Sequence, residues 1–139
     1  MLKLLFCVLF LAGVRAESKR EYVKISQAEL PRIMETSLTC ITETNADADT
    51  LQKLLTLTLN DSENVKKFLY CFLNRGGYAE NTGHIIMKNV IPFVQNHRKR
   101  NEFISVLEEC NRLNGKNKYE TIFKISTCVR DKTPIIFTI

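Results

Sequence analysis

Five cysteines and two histidines are the side chains here best suited to redox, metal or nucleophilic chemistry, and their spacing narrows what they can do. Cys40, Cys71, Cys110 and Cys128 stand 31, 39 and 18 positions apart. That is too spread for a standard zinc motif, whose ligands come in closely spaced pairs. His84 is followed by Ile85 and His97 by Arg98, so neither begins the His-Asp-Cys-Cys cluster of a calcium-assisted phospholipase. The sequence has no HExxH, no GxSxG and no glycine-rich phosphate loop. The expectation is a protein that is not an enzyme and needs neither metal nor cofactor.

The remaining use for the thiols is to pair, which depends on the compartment. The chain opens MLKLLFCVLFLAGVRA, with Lys3 as a positive start, an apolar run from Leu4 to Val14 and a small-residue exit at Ala16. This reads as a secretory signal peptide, its apolar run well short of the ~20 residues that a bilayer core needs. Cleavage after Ala16 leaves residues 17–139 as one domain, extracellular and not inserted in a membrane. It also removes Cys7, and the four cysteines that stay point to two disulfides, with three pairings open on arithmetic. Lys3 and Arg15 go too, so the formal charge falls from +5 to +3, too weakly basic for a nucleic-acid partner.

The cysteines must be positioned by helices. From Asn60 to Gly77 the apolar residues Val65, Phe68, Leu69 and Phe72 recur on one helical face. Asn60 and Glu63 read as a capping box and Gly76-Gly77 as the stop, which places Cys71 near the helix end. An earlier helix covers about Gln27 to Thr44 and carries Cys40. Leu30, Ile33, Met34, Ser37, Leu38 and Ile41 form its apolar face. Ser26 and Glu29 suggest a cap, but Pro31 favours a start nearer Leu30. Residues 17–25 read as a loose arm.

Asp47 or Asp49 caps a short helix reaching Thr58, although its LTLTLN tail alternates and fits a strand equally by period. Without a convincing partner strand, helix is the reading adopted. Thr82 to about Ile91 forms a helix stopped by Pro92. Another carries Phe103, Ile104, Val106, Leu107 and Cys110 and ends at Asn114-Gly115, and the sixth spans Lys118 to Val129. The apolar tail TPIIFTI is expected to fold back over the body rather than stay in water. The basic run Asn96–Arg100 reads as a solvated helix edge, a protease processing site or an acidic contact. Asn60-Asp-Ser62 is an N-glycosylation sequon as well as a cap.

With these spacings the chain resembles the insect odorant-binding protein family, the pheromone and general odorant binders. Six-cysteine members place the second cysteine four positions before the third and the fifth nine before the sixth. Those positions are Lys67 and Tyr119 here, so the chain looks like the four-cysteine "minus-C" branch. The resemblance implies Cys40 paired with Cys71 and Cys110 with Cys128, in a compact all-α bundle of about six short helices around an apolar cavity. The absent bridge would tie the third helix to the sixth. Packing must replace it, which suggests a looser sixth helix and a more adaptable cavity, with Lys67 and Tyr119 still neighbours.

The function so implied is a secreted carrier of small hydrophobic molecules such as odorants or pheromones, a monomer or weak dimer, with a membrane receptor as a further partner. Candidate lining residues come from inward faces near the bridges: Ile33, Ser37, Phe72, Ile86, Val90, Leu107, Ile122, Phe123 and, in the tail, Phe137. For each, plain core is the favoured reading, and Ser37 adds a hydroxyl that needs a partner, either the preceding turn's carbonyl or a ligand's polar head. Burying about 300 Å² of ligand gives roughly 7 to 8 kcal/mol before ordering costs, hence micromolar binding at best. His84 and His97 are the side chains that would titrate near neutrality and could trigger release. The alternative is a secreted signalling or surface-interaction protein without an internal ligand. An enclosed void of several hundred Å³ favours the carrier, and an apolar outer patch favours the alternative.

Overall fold

The computed structural model describes residues 20–139, so the signal peptide expected at 1–16, with Cys7 in it, lies outside the described residues. Six helices follow one another: α1 (Leu30–Thr44), α2 (Thr50–Leu55), α3 (Glu63–Arg75), α4 (Met87–Val90), α5 (Arg100–Cys110) and α6 (Lys118–Lys132). A 3₁₀ turn, Ile91–Val94, continues α4. Two short strands, β1 (Glu21–Lys24) and β2 (Ile135–Thr138), pair in parallel with Glu21 opposite Ile135. Among the described residues no helix is long and apolar enough to cross a membrane.

Local chemistry explains most of the helix ends. α1 starts at Leu30 with Pro31 in its first turn, where a missing N–H costs nothing, and the Ser26 cap is not used. Its buried face is Ile33, Ser37 and Cys40. Met34 and Leu38, expected inward, are 44% and 62% exposed. α3 is capped by Ser62, whose Oγ accepts the Val65 N–H at 3.2 Å. The Asn60–Glu63 box is therefore corrected by two residues, and Asn60 is exposed. At the other end the Tyr78 N–H reaches the Leu73 carbonyl at 2.7 Å and the Gly77 N–H that of Asn74 at 3.1 Å. That closure needs a left-handed residue, which Gly77 supplies at φ 83°. α6 starts as expected, with Asn117 Oδ1 accepting the Glu120 N–H at 3.0 Å.

Three segments differ from the sequence reading. α2 stops at Leu55 because the Thr56 hydroxyl bonds the Gln52 carbonyl at 2.9 Å and the Thr58 N–H bonds that of Lys53 at 2.8 Å. Beyond Leu55 the LTLTLN stretch is thus neither helix nor strand, and Leu57 is held at φ 61°. Thr82–Ile86 is a turn closed by an Ala79–Ile85 bridge. Gly83 there lies so close to α6 that a Cβ would meet the Lys118 carbonyl at 2.5 Å. Helix α4 consequently begins five residues late and Pro92 lies inside the 3₁₀ turn. The α5 helix ends at Cys110, before Asn114-Gly115.

The supposed loose arm contributes β1, which gives the tail its partner. Tail burial follows the expectation: Ile135 is 1% exposed and packs with Val94, Phe103 and Leu107.

The cysteines join Cys40 to Cys71 and Cys110 to Cys128, the pairing the resemblance implies. One bridge clasps α1 to α3 and the other α5 to α6.

Candidate ligand cavity

Between α1, α2, α3, α4, the 3₁₀ turn and β2 the apolar faces do not meet completely. They leave a cavity of about 170 Å³ lined by Ile25, Ile33, Leu54, Leu55, Leu57, Phe72, Leu73, Tyr78, Val90, Phe93 and Phe137. Every lining side chain is apolar apart from one phenol. The cavity is open to solvent on one side, and its volume suits a single ring or a short apolar chain. It is smaller and more open than the enclosed void of several hundred Å³ that favours a carrier, and the tail crosses the bundle to place Phe137 in its wall.

The aromatic walls are fixed by one another. Tyr78 meets Phe93 edge to face at 5.6 Å, Phe93 meets Phe137 at 6.1 Å, and Phe137 meets Phe103 at 5.9 Å. Burial pushes the Tyr78 phenol above its ordinary range, with Arg32 opposing and Glu29 adding. Its hydroxyl accepts a 2.6 Å hydrogen bond from Arg32.

Of the nine lining candidates, the cavity brings together Ile33, Phe72, Val90 and Phe137. The other five stand elsewhere. Ser37 is buried on α1 one turn beyond Ile33, and Ile86 precedes α4 outside the lining. Leu107 packs with Val94 and Phe103, and Ile122 with Leu69 and Ala79. Phe123 borders a separate crevice of about 20 Å³ beside Leu54, Leu57 and Leu59. Periodicity marks an inward face, but this interior is divided among several clusters, and neither α5 nor α6 reaches the cavity.

The reading missed Ile25, Leu54, Leu55, Leu57, Leu73, Tyr78 and Phe93. Leu54, Leu55 and Leu73 were legible as apolar helix positions. Tyr78 and Phe93 sit just beyond Gly77 and Pro92, where helical period carries no information.

Where the resemblance leaves a bridge missing, the structure has an ion cluster. Lys66, only 7% exposed, runs from α3 to α6 with Nζ 2.7 Å from Asp61 Oδ1 and 2.7 Å from Glu120 Oε1. Its ammonium also lies 5.2 Å from the centre of the Phe123 ring. Hydrogen bonds to Asp61 and then Glu120 raise the lysine pKa further above its normal value. The expected contact of Lys67 with Tyr119 is not made. Tyr119 packs edge-on to Tyr70 at 5.4 Å, and the cation 5.3 Å from its ring is Lys118. Being one position off on each helix, Lys66 and Glu120 face each other instead.

Neither histidine lines the cavity. His84 Nε2 lies 3.1 Å from the Leu113 carbonyl, and His97 Nδ1 accepts the Lys99 N–H at 3.1 Å while Nε2 lies 3.3 Å from Glu21 Oε2. Beside the cavity, a broader basin of about 570 Å³ faces solvent and is lined by Lys24, Ser26, Glu29, Arg32, Gly76, Gly77, Tyr78, Lys88, Asn89, Pro92 and Phe93. Among the described residues no cluster of His, Cys, Asp or Glu has the make-up of a metal site.

Comparison with solved structures gives the same architecture. The odorant-binding protein dmelOBP28a of Drosophila melanogaster superposes with a TM-score of 0.64 at 16% identity, over 76% of this chain and 93% of that one. The fatty acid binding protein OBP56a from the oral disk of the blowfly Phormia regina gives 0.64 at 17% identity, over 78% and 94%. The odorant-binding protein lmigOBP1 of Locusta migratoria gives 0.64 at 20% identity, over 80% and 86%. No curated protein sequence matches the chain. At such identities these likenesses speak for the fold. The sequence profile of the PBP/GOBP family, however, matches residues 24–132, from the last residue of β1 to the last of α6 with both disulfides inside, and the chain belongs to that family.

Proposed function

We propose that the protein is a secreted carrier that holds a small hydrophobic molecule, an odorant, a pheromone or another apolar compound, in the cavity behind Tyr78 and carries it through aqueous fluid. The observation that supports this most is the cavity itself, a solvent-open recess walled by apolar side chains in a chain small enough that filling it would have added stability. Membership in a family of binding proteins supports it too, as does a leader that reads as a signal peptide, with residues 17–139 as the mature domain.

Affinity follows from size. A single-ring ligand buries about 150–250 Å², worth about 4 to 6 kcal/mol at ~25 cal/mol per Å². That corresponds to millimolar to tens-of-micromolar binding from apolar contact alone. The direct test is fluorescence titration of the oxidised mature protein with naphthylamine, followed by displacement with a panel of volatile alcohols, esters and short fatty acids. Saturable binding displaced by some of the panel is expected. Absence of saturable binding to the folded protein would refute the carrier reading.

A further inference from the structure

The solvent-facing basin and the apolar cavity share two walls, Tyr78 and Phe93. They also adjoin along the chain in five places, since Lys24, Arg32, Gly77, Asn89 and Pro92 line the basin while Ile25, Ile33, Tyr78, Val90 and Phe93, the next residue in each case, line the cavity. The two spaces thus adjoin as a polar and an apolar side, with the edge-to-face pair of Tyr78 and Phe93 as their common wall.

The polar side carries three cations, Lys24, Arg32 and Lys88, against one carboxylate, Glu29. Arg32 holds that carboxylate at 3.1 Å. Among the described residues, neither Lys24 nor Lys88 pairs with an acidic group within salt-bridge distance. The Tyr78 hydroxyl spends its acceptor capacity on Arg32, which leaves its own proton free to donate. A concave surface with surplus positive charge and a phenol donor, set against an apolar recess, is complementary to a particular kind of molecule.

We propose that the ligand is an amphiphile with a single negative charge, an apolar chain ending in a carboxylate or sulfate. Its head lies in the basin against Arg32, Lys24, Lys88 and the Tyr78 hydroxyl. Its chain runs over Tyr78 and Phe93 into the cavity. This rests on the carrier reading of the cavity and adds to it the ligand's chemical class and the residues that select it. The charged head supplies affinity that a void of this size lacks by apolar contact alone.

Calorimetric titration of the oxidised mature protein at neutral pH with octanoate, octyl sulfate and octanol separates the possibilities. The anions are expected to bind about ten-fold more tightly than octanol, with the advantage shrinking as salt is added. Lys24→Gln and Lys88→Gln should each reduce the advantage about twofold. The triple variant with Arg32→Gln should abolish it while octanol still binds, and Arg32→Lys should retain most of it. Lys124→Gln, an exposed charge removed outside the basin, should leave it intact and so exclude a net-charge effect. Preference for octanoate alone would fix the head as a carboxylate. Octanol binding as tightly as both anions, or an advantage that survives the triple variant, would overturn this proposal and leave the carrier standing. Failure of all three ligands to bind would overturn the carrier reading and this proposal with it.

Discussion

Removing the two disulfides one at a time should have similar effects on stability and unequal effects on binding. In the chain-entropy model, closing the 31-position loop between Cys40 and Cys71 stabilises by about 3.7 kcal/mol, and closing the 18-position loop between Cys110 and Cys128 by about 3.2 kcal/mol. Their relation to the cavity differs, since α1 and α3 supply Ile33, Phe72 and Leu73 to its wall whereas α5 and α6 supply nothing. Cys110→Ser with Cys128→Ser should therefore lower the urea-unfolding free energy by about 3 kcal/mol yet leave naphthylamine affinity within about twofold. Cys40→Ser with Cys71→Ser should cost about as much and also weaken the probe by tenfold or more. Affinities are to be measured at low temperature, where circular dichroism shows both variants helical. Loss of binding in the folded Cys110/Cys128 variant, or full binding without the Cys40–Cys71 bridge, would refute the assignment of the cavity to the α1–α3 side.

Other outcomes follow from single side chains. Val90→Phe should occupy the cavity and reduce naphthylamine binding at least tenfold, with a stability change within about 3 kcal/mol read by urea unfolding. Lys66→Met should lower the melting temperature. Because the lysine pKa is raised in the folded state, its contribution is complete below the unfolded value of 10.5 and fades as pH rises through the folded one. The melting-temperature gap to wild type should thus stay constant from about pH 6 to 9 and close only in stronger alkali. Asn60→Gln should leave stability within about 0.5 kcal/mol, whereas Ser62→Ala, which removes the α3 cap, should cost about 1 kcal/mol. Mass spectrometry of the protein secreted from a eukaryotic host should find a glycan on the exposed Asn60, absent in both variants.

Elements with local signals were legible in the sequence. Gly76-Gly77 closes α3 where expected, and Lys118 opens α6 behind an asparagine cap. The cap of α3 was displaced because Asn60 and Ser62 both have the right chemistry, and only the backbone decides which oxygen reaches a free N–H. The strand pair was invisible because Glu21–Lys24 and Ile135–Thr138 each read as strand only in the presence of the other, more than a hundred residues away. Thr82–Ile86 failed as a helix for a similarly distant reason, the approach of Gly83 to the α6 start. In the cavity, Ile33 and Phe72 were reached from helical period. Tyr78 and Phe93 were not, since turns placed them there. The Lys66 cluster needed the relative rotation of α3 and α6, which spacing along one chain does not supply.

The most direct test of the central claim is a methyl-labelled NMR titration of the mature protein with octanoate. Ligand-induced shifts confined to the methyls of Ile25, Ile33, Leu54, Leu55, Leu57, Leu73 and Val90, with Leu107 and Ile122 unmoved, are the predicted result. Shifts centred on the exposed Met34 and Leu38, or none at saturating ligand, would contradict it.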